Sequence, residues 1–262
     1  MLRKLLKYDL KWCYKPIVVF YILALFFSIV TRILESIDQS FIILILDKIC
    51  SGIVIAMIAN ILINNFLRVW VRVIRNVYKD ESYLTHTLPV SKNLIYTSKV
   101  LTSIITLITS FIVIIVCLAI CCLNKDTWLI LKNSLEESAI FFNSSVFGLI
   151  SVLIMTIFFE FLFMLMSGIL GIVIGHRFNN AKIIKSICIG FMIYTALSTV
   201  SLAVLYVIGL INPNIMDIFK NEIVSSEAMK STLYIGTSIY GIYNLILYFV
   251  TKNILNKGVN VD

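Results

Sequence analysis

The chain has 262 residues, 60% of them hydrophobic, a formal net charge of +8 and a mean hydropathy of +0.99. An apolar share of that size excludes an ordinary soluble domain, which sits nearer ~45–50%, and with no soluble basic region the positive charge does not read as nucleic-acid binding. The bilayer is the solvent to reason from. A spanning helix needs about 20 mostly apolar residues, because every backbone amide in lipid has to be satisfied within its own segment.

Taken in order, residues 1–15 place Leu2, Leu5, Leu6, Leu10 and Cys13 at helical spacing on one side and Lys4, Lys7 and Lys11 on another, with Trp12 and Tyr14 near the membrane edge. This pattern predicts an amphipathic helix lying on the inner leaflet, either as a basic anchor or as a second contact for a cytosolic partner. Six apolar stretches follow, at residues 16–34, 41–71, 101–123, 139–174, 183–211 and 232–254. The fold class is therefore all-α and polytopic, with six transmembrane helices. The second and fourth stretches exceed one crossing, so tilt, a kink or extension into water is expected.

The second stretch carries a polar stripe. Asn60, Asn64, Arg68 and Arg72 recur every four residues and Arg75 follows three later. Steps of four drift about 40° around a helix, so these groups share one slowly turning face. Either the asparagines bond between helices and the arginines hold lipid phosphate, or the face lines the inner mouth of a substrate path.

Residues 77–101 form the longest polar interruption on the basic side. Asp80 and Glu81 suit the first turn of a short helix, where free N–H groups favour carboxylates; Leu84 and Leu88 fall four apart, Pro89 stops the helix, and Ser91 offers an N-cap to the next. In the third span Thr102, Thr106, Thr109 and Ser110 make a hydroxyl stripe suited to packing or to bonding their own i−4 carbonyls. Residues 124–138, with Trp128 and Leu131 among charges, read as a short, partly helical external segment.

The fourth span holds Glu160, the one carboxylate deep in an apolar run; it has to be paired, protonated or facing a cavity, with Arg or Asn groups of the second span as candidate partners. Gly168, Gly171 and Gly175 make a small-residue face for close helix approach, and His176 and Arg177 mark the inner surface. No buried imidazole is expected. The fifth span carries Ser186, Gly190, Ser198 and Ser201, and the sixth Gly236, Tyr240 and Asn244, as packing faces; between them Asn212–Pro213 opens a segment read as an interfacial external helix.

With the N-terminus inside, sixteen of the 22 basic residues fall on the cytoplasmic side and six outside, which predicts cytoplasmic termini. The run before the first span is basic and aromatic, without a small-residue cleavage pattern, so the first span is expected to stay as an anchor. The six cysteines show no C-x-x-C pair, which argues against a disulfide framework or a metal site. No phosphate loop, H-E-x-x-H or G-x-S-x-G occurs, so no catalytic site and no bound cofactor is expected in this chain.

The run Tyr78-Lys79-Asp80-Glu81-Ser82-Tyr83-Leu84-Thr85-His86-Thr87-Leu88-Pro89-Val90-Ser91, together with a basic amphipathic N-terminus and six spans, resembles the membrane subunit of type-2 ATP-binding-cassette exporters of low-GC Gram-positive bacteria. The resemblance implies that Asp80 to Pro89 is a coupling helix docked in a cleft of a separate ATPase subunit, with Lys4, Lys7 and Lys11 on an ATPase-side connecting helix. It implies ATP and Mg on that partner, a second permease copy or a homologous permease, and export of peptides, antimicrobials, drugs or lipids. The substrate-path candidates are Asn60, Asn64, Arg68, Arg72 and Glu160. The alternative is a non-transporting membrane immunity, sensor or assembly protein whose cytoplasmic helix docks another partner; a secondary carrier is a third.

Overall fold

In the computed structural model the first helix, α1, runs without interruption over Leu2–Glu35. The structure describes residues 1–37, 40–79, 81–87, 89–122, 125–220 and 224–258. Pro16 lies inside α1 and removes one backbone donor, the one that would reach the Trp12 carbonyl, without ending the helix. The expected interfacial helix and first span are thus a single element about 51 Å long. The reason is a shared inner face: Asp9, Cys13, Ile17, Tyr21, Ala24, Ser28 and Thr31 are buried at steps of three and four on both sides of the proline.

The remaining helices are α2 (Phe41–Val77), α3 (Ser82–Thr87), α4 (Lys92–Cys122), α5 (Lys125–Phe141), α6 (Val146–Gly175), α7 (Lys182–Ile211), α8 (Pro213–Lys220) and α9 (Ser226–Asn256). Six of them, α1, α2, α4, α6, α7 and α9, are long and apolar enough to cross a membrane. Helix α2 is unbroken over Phe41–Val77 and about 55 Å long, against a hydrocarbon core of ~30 Å. The overlong fourth stretch resolves differently. Residues 139–141 end α5, Asn143 takes a left-handed φ of 43°, and Ser145 caps α6 by accepting from the Gly148 N–H at 3.1 Å. That break comes from local capping chemistry inside a run whose hydropathy is continuous.

Two units divide the chain between Ile130 and Leu131. In the first, α1 packs on α2 and α4, and α2 on α4. Its apolar core gathers Cys13, Ile17, Tyr21, Ala24, Ile61, Ile114 and Cys117. In the second, α6 packs against α7 and α9, and α8 lies against both of these. The α6–α7 contact depends on missing side chains: a Cβ on Gly171 would stand 2.5 Å from Gly190 Cα, and one on Gly175 2.5 Å from Ser186 Cα.

Candidate functional site

Helical phase carries a carboxylate into the first unit. Asp9 sits one turn before Cys13 on the buried face of α1, and only 2% of it is exposed. The same argument applies to α2, where Arg72 follows Asn65 and Val69 on the inner face, and to α4, which turns Ser98 and Lys99 inward. These groups converge. Asp9 Oδ1 accepts from Arg72 Nε at 2.8 Å and from Lys99 Nζ at 2.6 Å, while Oδ2 accepts from Ser98 Oγ at 2.8 Å. A buried carboxylate is tolerable only with such full pairing.

Arg72 extends the cluster toward the short helix. Its Nη1 donates to Glu81 Oε2 at 2.6 Å, and Asn76 Nδ2 donates to the same oxygen at 3.1 Å. The Trp12 ring covers the guanidinium, with Arg72 Cζ 5.4 Å and Arg68 Cζ 5.8 Å from its centroid. One arginine therefore ties α1 and α4 to the residue that leads into α3. Two acids and two bases make the group formally neutral, which favours burial of the set over burial of any one member. Ser82 is fully buried and its N–H donates to the Lys79 carbonyl at 2.6 Å, whereas Tyr83 is 71% exposed and Thr87 and Pro89 are exposed. Helix α3 is held at its start, at Glu81 and Ser82, and exposes Tyr83 and Thr87 beyond it. At the other end the Leu94 N–H reaches Ser91 Oγ at 3.4 Å, the N-cap anticipated for α4.

A second polar layer binds the same three helices. Tyr14 and Tyr21 of α1 meet Thr109 and Ser110 of α4, each at 2.8 Å; Asn65 Nδ2 donates to Ser110 Oγ at 2.8 Å, and Thr106 Oγ1 to Asn65 Oδ1 at 3.2 Å. The hydroxyl stripe also makes the expected bonds to its own helix, from Thr102 to Ser98, Thr106 to Thr102 and Ser110 to Thr106.

The sequence-derived candidates separate accordingly. Glu81, expected at a partner interface, is engaged by Arg72 and Asn76. Arg72, expected on a substrate path, is spent on Asp9 and Glu81. Asn60 and Asn64 donate to the Ala56 and Asn60 carbonyls of their own helix. Lys4, Lys7 and Lys11 are exposed on α1. Asp80 and Leu88 lie outside the described residues, as do the side chains of Leu84, Thr85 and His86. Glu160 is half-buried in the second unit, with no cation in ion-pair range among the described residues. His176 corrects the expectation of no buried imidazole: it is 0% exposed, its Nδ1 2.9 Å from the Ile172 carbonyl and 3.3 Å from Ser186 Oγ. The reason is that α6 ends against α7, so the residue closing it is covered.

Asp9, Lys99 and Asn65 escaped the sequence reading. The first had a signal, since it falls in register with Cys13 and Ile17; Asn65 lies one step of about 100° from Asn64, on the stripe the sequence singled out, and Lys99 counted only as one of the basic residues. No protein-family model matches this chain, and neither curated proteins nor solved structures give a match.

Proposed function

We propose that this chain is the membrane-spanning subunit of an ATP-driven exporter, with a cytoplasmic N-terminus and energy delivered by a separate ATPase through α3. The observation that carries the reading is the Arg72 bridge. A six-residue helix that exposes Tyr83, Thr87 and the following Pro89 is joined at its base, through Glu81 and Arg72, to Asp9 of α1 and thence to Lys99 of α4. A push on α3 at the exposed Tyr83 would reach three long helices through charge-assisted bonds, which are short and directional. Movement of the ATPase would tilt those helices as packed rods and open or close the export path. The motif that resembles the exporter coupling segment lies on this same stretch.

The test is capture. The tagged chain is expressed with candidate ATP-binding-cassette ATPases of its own genome, solubilised and recovered. The wild type retains the ATPase, Tyr83→Ala loses it, and all forms reach the membrane in equal amount. Equal ATPase recovery by wild type and Tyr83→Ala, or none by either, defeats the proposal and leaves the non-exporting readings.

A further inference from the structure

On α6, Thr156, Glu160 and Phe163 follow one another at steps of four and three and so share a stripe. Both ends of that stripe touch other helices. The Thr156 hydroxyl bonds that of Thr237 on α9. The Phe163 ring, 0% exposed, has the rings of Tyr194 on α7 and of Tyr240 and Tyr243 on α9 around it, with centroids 5.2, 5.7 and 5.6 Å away. Glu160 stands between these contacts, half-buried.

What gathers there is a carboxylate and an amide oxygen, both pure acceptors, among tyrosine hydroxyls that reach neither of them. Glu160 has no hydrogen-bond or ion-pair partner among the described residues, and the three tyrosine hydroxyls have no hydrogen bond there either. Asn244, next to Tyr240 and Tyr243 on α9, spends its amide N–H groups on the Phe159 and Tyr240 carbonyls at 3.0 and 2.9 Å. That fixes which end of the amide is the oxygen, and its buried Oδ1 meets no donor among the described residues. A carboxylate in an apolar helix costs at least ~2.5–3.5 kcal/mol and an unmet buried acceptor adds to this. Aromatic faces beside a carboxylate attract a cation, and acceptors call for one that carries N–H groups.

We infer that Glu160, with Tyr194, Tyr240 and Tyr243 around Phe163, binds an amphiphilic organic ammonium ion, a protonated amine with an apolar body. This deepens the exporter reading by assigning a substrate class, and rests on it for the word substrate; the binding itself does not need the ATPase.

The experiment uses the purified full-length chain in a neutral maltoside detergent, with neither ATPase nor ATP. The probe is rhodamine 6G, a lipophilic cation with N–H donors, followed by fluorescence anisotropy. Octylammonium displaces it and octanol does not; Glu160→Gln weakens binding at least about tenfold and Tyr240→Phe a few-fold, with unchanged thermal unfolding. Equal displacement by octanol, an unaltered Glu160→Gln affinity, or wild-type anisotropy no higher than in protein-free micelles overturns the inference. The octanol comparison is made on the wild type, so it decides the matter even where a variant fails to fold. Because the chain is alone in the cuvette, failed ATPase capture leaves this result standing, and failed dye binding leaves the capture result standing.

Discussion

Asp9 and Arg72 stand 63 positions apart in the chain and 2.8 Å apart in space, and each is more than nine-tenths buried. Their contact fixes the register of α1 against α2 at the level where α3 begins. Through Glu81 and Lys99 it also links the residue before α3 to three long helices.

Removing one member of that set leaves charge stranded. Asp9→Asn strips Arg72 and Lys99 of their common acceptor and is expected to destabilise the chain by about 3–5 kcal/mol. Thermal unfolding in detergent reads the loss. Lys99→Met alone removes a buried ammonium together with one of Asp9's donors, and the Asp9→Asn/Lys99→Met pair should cost less than the sum of its parts, since the two residues touch. Strict additivity would show that the bond contributes nothing specific.

Glu81 and Tyr83 should separate anchoring from docking. The Glu81 side chain is 34% exposed, so its pair with Arg72 is worth about 1 kcal/mol or less to global stability. Its loss acts locally: Glu81→Gln is expected to speed amide exchange across residues 82–87 with little change in overall unfolding. Tyr83→Ala should leave exchange as it was, because that side chain projects from the protein. Faster exchange in both variants, or in neither, contradicts this division.

Close approach of α6 and α7 makes a third prediction. Gly171→Leu places atoms where Gly190 backbone lies 2.5 Å from the first added carbon, and is expected to lower the unfolding temperature sharply by forcing the helices apart. Gly236→Ala meets nothing within 4 Å and should cost nothing. Comparable losses at both sites would mean that the α6–α7 packing is not the cause.

The asparagines of α2 offer a contrast within one helix. Asn65→Leu removes bonds to Ser110 and Thr106 and should cost roughly 1 kcal/mol, the scale of hydrogen bonds between membrane helices. Asn60→Leu and Asn64→Leu break only bonds to their own helix and should change the unfolding temperature by far less.

Hydropathy, helical period and capping residues made much of the fold legible. The six long apolar helices, the short helix before Pro89, the Ser91 cap and the glycine face at Gly171 and Gly175 follow from rules that act within about ten residues. The same rules misjudged joins: Pro16 did not separate two elements because the buried face continues through it, and residues 139–141 went to α5 because Ser145 restarts the helix. The candidate site was legible only in part. Glu81 and Arg72 stood out as charges, but their roles depended on a partner the local pattern does not name.

What the sequence determined by itself is the six long apolar helices and the short polar one between the second and third, since burial of apolar surface and satisfaction of backbone amides are decided residue by residue. What only the tertiary structure decided is which buried polar groups meet: Asp9 with Arg72 and Lys99, Asn65 with Ser110, Phe163 with three tyrosines. An ion pair or a ring contact needs two side chains within a few ångströms. That coincidence is set by how long helices cross and slide, a property of their packing and not of any one stretch of chain.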